Sequence, residues 1–404
     1  MTPPVPPVPP SRPELPPARA VLPPFRLEAY FTRWEFSARY HLTASDAQTM
    51  SVADLLALGT EAERAEFAQL PLGYLPTWGT DRLREAVAGS YATLEPDDVL
   101  AFAGADEALF WMLRACAGPG DHVVVTVPNY QAIETVPLAS GAQVTGVLLD
   151  ERDGWRLDVD AVRAALRPTT TLVVVNFPNN PTGAVPDAAI WRQLVELCEE
   201  RGVRLLSDEV YRGIELDPAR TLPQAADLSP SAVSLNVLSK AYGLPGLRVG
   251  WLATRDRELL RLLEGHKHYT TICNAGPSEF LGAIAVRERE AIWARTRAVV
   301  AANLPLFDAF FADHADLFEW VPPDGGCVAF PRYRGADGVE AFCHDLVETA
   351  GVLLLPASIY ASALAPVPPD RFRIGVGRHD PAPALAALAD FLGTRRVPAA
   401  GGAG

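Results

Sequence analysis

Seven apolar runs of five to seven residues, rich in valine and leucine, punctuate the middle of this chain at 99–103, 122–127, 143–149, 171–177, 203–207, 232–238 and 248–253. Most are separated by stretches of helical character, 106–117, 131–140, 158–166 and 188–200. A strand that is apolar on both faces must be covered on both, and strand–helix alternation does this with crossover helices. The pattern predicts an α/β fold on a mostly parallel, seven-stranded sheet between helices. The last two runs are joined by too short a segment for a helical crossover, which points to one antiparallel strand.

At 404 residues the chain exceeds what one hydrophobic core usually supports, so two packed units are expected. Residues 73–285 form the larger, sheet-bearing unit. Beyond residue 255 the pattern turns mostly helical, as in 278–312, and a smaller mixed unit (286–394) follows with strand-like runs at 327–331 and 372–376. The segment 25–72 precedes the sheet and is expected to pack with that smaller unit. Residues 1–24, with eleven prolines from residue 2 onwards, read as a disordered or polyproline II tail, and 395–404 as a second loose end.

The net charge of −14 leaves no basic stripe for nucleic acid and no attraction to an anionic membrane surface. Cys116, Cys198, Cys273, Cys327 and Cys343 are scattered, with no Cys-x-x-Cys spacing. They read as buried thiols of a reducing compartment rather than disulfides or metal ligands. With no apolar run near membrane-spanning length and no signal pattern at the N-terminus, a cytoplasmic location is expected.

Four short elements sit at the ends of predicted strands, where open α/β sheets bind ligands. Gly104-Ala105-Asp106 opens a helix, whose free N–H groups suit an anion. Asn176-Phe177-Pro178-Asn179-Asn180-Pro181-Thr182-Gly183 is a rigid turn that leaves Asn180 to present an amide. Asp208 ends an apolar strand, a costly place for a carboxylate unless it meets a cation. Ser239-Lys240 is followed eight residues later by Arg248, a pairing of amine and guanidinium that suits a Schiff base beside a phosphate.

The lysines sharpen this. Of 35 basic residues only Lys240 and Lys267 are lysine. What arginine cannot supply is a neutral amine able to attack a carbonyl, and Lys240 lies where that is needed. Lys267, between His266 and His268 in a polar stretch, reads as a surface residue.

In this order and spacing, Asn-Asn-Pro-Thr-Gly, Asp-Glu-Val-Tyr and Ser-Lys followed by Leu-Pro-Gly-Leu-Arg-Val-Gly resemble the pyridoxal-phosphate-dependent aminotransferases of fold type I, class I/II, over roughly residues 70 to 380. The resemblance implies a fold type I architecture and pyridoxal 5'-phosphate as cofactor. It implies that Lys240 holds the cofactor as a Schiff base and shuttles a proton, that Asp208 meets the ring nitrogen, and that Tyr211 and Asn180 bond the ring's 3-oxygen. Tyr130 would stack on the ring. Gly104, Ala105, Asp106, Ser239 and Arg248 would hold the phosphate, and Arg373 the substrate α-carboxylate. Tyr74 matches the tyrosine such enzymes lend to a neighbouring subunit, which implies a homodimer with shared sites.

Two departures stand out. Val237 occupies a position that is usually a phosphate-binding serine. The stretch Tyr30-Phe31-Thr32-Arg33-Trp34-Glu35-Phe36, followed by Ala44-Ser45-Asp46, is similar to a sub-branch that includes capreomycidine synthase and arginine-oxidising pyridoxal-phosphate enzymes. That likeness implies that Glu35 lines the substrate pocket. The residues alone read as an amphipathic helix with Tyr30, Phe31 and Trp34 buried and Glu35 solvated. The expected activity is amino transfer between an L-amino acid and a 2-oxo acid. The alternative is elimination, cyclisation or oxidation of an arginine-like amino acid on the same fold. A cofactor-binding regulator would need a DNA-binding domain for which the chain has no candidate segment.

Overall fold

The computed structural model describes residues 22–396. Most of the two expected tails lies outside the described residues. Arg395, assigned above to a loose end, stands in the last turn of the helix Ala382–Arg396 and pairs with both Asp337 and Asp345.

The seven strands are β1 (Val99–Phe102), β2 (His122–Val127), β3 (Gln143–Leu148), β4 (Thr170–Asn176), β5 (Arg204–Asp208), β6 (Val233–Val237) and β7 (Gly250–Ala253). They form one sheet in the order β1-β7-β6-β5-β4-β2-β3. All neighbours run parallel except β7, which is antiparallel to both β1 and β6. The short link between β6 and β7 dictates this, as expected.

Alternation along each strand feeds two cores. Val123, Val125 and Val127 of β2, with Leu172 and Val174 of β4, pack under the helices Ala105–Cys116, Ala132–Ala139 and Arg257–Lys267. Val124, Val173 and Val175 face the other way, towards Val162, Trp191, Leu194 and Leu197 of the helices Val159–Ala165 and Ala188–Glu200. Each such side chain is worth about 1.5–3 kcal/mol of burial, which is why both faces must be covered. Of the cysteines, all are free; four are buried and Cys273 is only half-buried.

The helical stretch 278–312 is two helices, Gly276–Arg287 and Arg289–Asp313, separated at Glu288. The smaller unit is built on Phe372–Gly375, flanked antiparallel by Val328–Ala329 and Leu355–Pro356. Its core is aromatic: Phe318 contacts Phe310, Phe311, Tyr333, Phe342 and Phe372. The expectation that all of 25–72 joins this unit holds for its first part only. Tyr40–His41 pairs with Val352–Leu353, and Arg26 bonds the carbonyls of Ile359 and Ala361. The next helix, Val52–Leu58, instead buries Leu55 among Leu281, Ile284 and Ala285 of the helix Gly276–Arg287.

Candidate active site

Register brings two of the four elements together. Asn176 at the end of β4 lies opposite Asp208 at the end of β5, and Asp208 opposite Leu235 of β6. Beyond β4 the chain turns back, with Asn180 N–H donating to Asn176 Oδ1 at 2.7 Å and Phe177 N–H to the Asp208 carbonyl at 3.1 Å. The Asp208 carboxylate is buried and accepts from Val210 N–H at 3.2 Å, with no cation in ion-pair contact among the described residues. Burial pushes its carboxyl up to about 7, against the lowering effects of the Val210 N–H and the Lys240 charge.

Lys240 follows β6 on a loop and is half-buried. Its Nζ bonds Ser45 Oγ at 2.9 Å, and its carbonyl accepts from Ala47 N–H at 3.2 Å. The N-terminal segment thus lies directly over the amine. Burial lowers the Lys240 amine below its ordinary value; Asp46, Asp106 and Asp208 oppose that shift, while Arg373 adds to it. Tyr211 reaches the same segment, donating from its hydroxyl to the Ser45 carbonyl at 2.8 Å.

The turn after β1 forms a cradle. Gly104 has a φ of +97°, and no side chain caps the helix Ala105–Cys116 that begins beside it. The first-turn N–H groups of such a helix lack partners within it. A Cβ on Gly104 would stand 2.5 Å from Arg248 Nη2, so the guanidinium closes directly over the turn. Beneath it, a Cβ on Gly250 would meet the Ala105 nitrogen at 2.9 Å. Arg248 Nη1 also reaches Ser239 Oγ at 3.4 Å. Val237, by contrast, is buried in the hydrophobic core. The Asp106 carboxylate accepts from Tyr130 OH at 2.9 Å, and the Tyr130 ring leans on Phe25 at 5.1 Å.

Arg373 is fully buried, yet all its partners are neutral. Nη1 donates to Tyr360 OH at 2.7 Å and to Asn180 Oδ1 at 3.3 Å, and Nη2 to the Thr43 carbonyl at 2.9 Å. Tyr360 OH donates in turn to Asn180 Oδ1 at 3.1 Å. No carboxylate among the described residues pairs with this guanidinium. A buried guanidinium without an acid can receive a substrate carboxylate in the bidentate geometry it favours.

Glu35 lies just past the helix Arg26–Trp34, with its carboxylate 3.7 Å from His41 Nε2. Burial lowers that imidazole to about 4, so it is neutral near pH 7, and the carboxylate has no other ion pair among the described residues. Tyr30, Phe31 and Trp34 are only half-buried. Seven residues before Glu35, on the same helical face, Glu28 lies within electrostatic reach of Asp106, Lys240 and Arg373. Although Glu28 is exposed overall, partial desolvation and the nearby Asp106 and Glu35 charges raise its carboxyl, and it has no ion pair among the described residues. Thr43, Tyr360 and Glu28 were not picked out from the sequence, and Ser45 only within the stretch Ala44-Ser45-Asp46, with no role of its own.

Two residues fall apart from this group. Tyr74 is 89% exposed on a loop and touches none of these side chains. Lys267 is not at the surface but fully buried, because three oxygens converge on its ammonium: the carbonyls of Thr77 and Ala101 at 2.7 Å each and Asn274 Oδ1 at 2.9 Å.

Residues 43–390 match the family model described as aminotransferase class I and II. Capreomycidine synthase of Streptomyces vinaceus is 31% identical over 91% of this chain and 93% of its own. Arginine–pyruvate transaminase AruH of Pseudomonas aeruginosa is 29% identical over 72% of this chain and 76% of its own. Among solved structures, a pyridoxal-phosphate-dependent aminotransferase from Streptococcus suis superposes with a TM-score of 0.86 at 29% identity, covering 93% of this chain and 99% of that one. The pyridoxal-phosphate-dependent cyclase OrfR gives 0.84 at 29% identity, covering 95% and 99%. The donor set fits pyridoxal phosphate, the cofactor for which both solved structures are named: an uncapped helix start beside a guanidinium suits a phosphate, a buried carboxylate suits a protonated ring nitrogen, and a primary amine suits an aldehyde. The chain belongs to the class I and II aminotransferase family and is a pyridoxal-phosphate-dependent enzyme of fold type I.

Proposed function

We propose that this enzyme moves the amino group of an L-amino acid to a 2-oxo acid, using the amine of Lys240. Bound beside it, pyridoxal phosphate supplies a ring that withdraws electrons from the substrate's α-carbon. The protein's part is to hold and to move protons. Asp208 keeps the ring nitrogen charged, Gly104, Ala105, Asp106, Ser239 and Arg248 hold the phosphate, Tyr211 and Asn180 meet the ring's 3-oxygen, and Tyr130 covers one face. Lys240 Nζ, once free, takes the proton from the α-carbon; its lowered affinity for protons makes the neutral amine accessible. Arg373 receives the α-carboxylate. One observation carries this reading: among the described residues Arg373 is a buried cation without an acid and Asp208 a buried acid without a cation in contact, and both lie within electrostatic reach of the Lys240 amine.

Glu28 favours a second reading, in which the substrate bears a guanidinium or ammonium and the same site cyclises or oxidises it. The relatives include proteins named for arginine transamination and for cyclisation. Incubating the enzyme with amino acids labelled at the α-nitrogen, plus an unlabelled 2-oxo acid, separates the two. Label appearing in a new amino acid supports transfer; a cyclic product, or oxygen uptake without label transfer, refutes it in favour of the second reading.

A homodimer with Tyr74 reaching the partner's phosphate is part of the proposal. Leu72, Tyr74, Tyr269 and Ile272 are exposed apolar residues on two segments joined through Thr77 and His268. Sedimentation of the holoenzyme as a monomer, even when concentrated, would contradict it.

A further inference from the structure

Lys267 has no role in the chemistry above, yet it is one of two lysines in a chain that otherwise uses arginine. Its Nζ has three N–H groups and three acceptors, the Thr77 and Ala101 carbonyls and Asn274 Oδ1. A tetrahedral ammonium can direct three donors from a single point; a guanidinium is flat, larger and spreads its donors over three nitrogens. The site therefore excludes arginine on geometry, just as Lys240's position excludes it on chemistry.

What the ammonium joins is informative. Ala101 is three residues before Gly104, where the cradle turns. The next carbonyl, that of Phe102, accepts from Asn274 Nδ2 at 2.6 Å and from Gly104 N–H at 2.8 Å. Ala103 N–H donates to Glu107 Oε2 at 2.7 Å, and the other oxygen of Glu107 accepts from the hydroxyls of Thr270 and Thr271. Three successive residues leading into the cradle are thus tied to the segment 267–274. Through the Thr77 carbonyl the same ammonium ties in the loop that carries Tyr74.

We propose that Lys267 is a positioning residue for the cofactor's phosphate: its ammonium fixes the end of β1 and the Tyr74 loop so that the Gly104–Asp106 cradle stands preformed under Arg248. The inference rests on the reading that this cradle and Arg248 hold the phosphate. A preformed cradle binds its anion without first ordering the turn.

The test compares the dissociation constants of pyridoxal phosphate and of pyridoxal, which lacks the phosphate, by absorbance titration of the cofactor-free protein. Lys267→Met should weaken pyridoxal phosphate at least about tenfold, the size usual for groups that orient ligands from behind, while leaving pyridoxal nearly unchanged. Lys267→Arg should behave like the Met variant. A purely structural role would weaken both ligands alike, and that result overturns the proposal, as does a Lys267→Arg protein with the native ratio. Arg248→Ala serves as the control on the underlying reading. If it alters the ratio and Lys267→Met does not, the inference fails and the cradle stands; if neither does, the cradle assignment itself fails. Should the Met protein not fold, Asn274→Ala, which removes one of the three acceptors and the bond to Phe102, decides by the same ratio.

Discussion

Replacing Asp208 by Asn should make the cofactor-free protein more stable and the cofactor-bound protein less so. The carboxyl is raised from 3.8 to about 7, chiefly by burial. Between those values the folded cofactor-free protein holds a proton that the unfolded chain has released, so the contribution of this carboxyl to stability falls as pH rises across that window, and the full cost of its charge is present above about 7. A shift of about three units corresponds to on the order of 4 kcal/mol. Asn is isosteric and can still accept from Val210 N–H, so little else changes. The buried neighbour Glu209 is raised in the same direction, and its charge is among the causes that raise Asp208, so the Asn variant relieves that repulsion too and the change has the same sign. Urea unfolding near pH 8 should therefore find the cofactor-free Asn variant more stable by up to about 4 kcal/mol, with the gap closing near pH 4. Saturating pyridoxal phosphate should reverse the order, because only the carboxylate can pair with a charged ring nitrogen. A cofactor-free variant no more stable than the native protein near pH 8, or one that binds the cofactor as tightly, refutes the reasoning.

Other consequences are open to measurement. Tyr360→Phe removes a bond to the buried Arg373 guanidinium worth about 1.5 kcal/mol, so KM for the amino acid should rise about tenfold while cofactor affinity holds; an unchanged KM would remove Tyr360 from the carboxylate site. Glu28→Gln should lower kcat/KM for arginine roughly tenfold relative to a neutral amino acid of similar length, and equal effects on both would show that Glu28 does not read side-chain charge. Gly243 has a φ of +66°, and a Cβ there would stand 2.7 Å from the Gln48 carbonyl. Gly243→Ala should thus cost about 1–3 kcal/mol in urea unfolding and displace the segment lying over Lys240, and native stability would show that the backbone there tolerates a side chain.

The parts of the site that the sequence displayed are local. Asn180, Asp208, Lys240 and Arg248 each lie within a few residues of a strand end, so a strand pattern plus a short motif places them. The same logic gave the antiparallel β7, from the length of one link. What escaped notice arrives from far along the chain. Ser45 is 195 positions from Lys240, Thr43 lies 330 positions from Arg373, and Glu28 becomes a neighbour of both through the packing of one helix. Nothing in the surroundings of Thr43 or Glu28 assigns them a role, and Ser45 stood out only as part of an atypical stretch. Tyr360 sits 13 positions before Arg373, in a helical turn just beyond the strand whose Leu355 pairs with Arg373, and apolar periodicity alone specifies neither that register nor the turn. Lys267 misled for a related reason. Its histidine neighbours suggested a surface, whereas the acceptors that bury it are mostly backbone carbonyls, which carry no trace in a sequence. The scarcity of lysine was the usable signal, and it marked both residues.

That scarcity also gives the most direct test of the central claim. With only two lysines, the holoenzyme can be reduced with borohydride, digested and searched by mass spectrometry for the cofactor-bearing peptide. The account predicts the label on Lys240 alone. Label on Lys267, or none on Lys240, would contradict it.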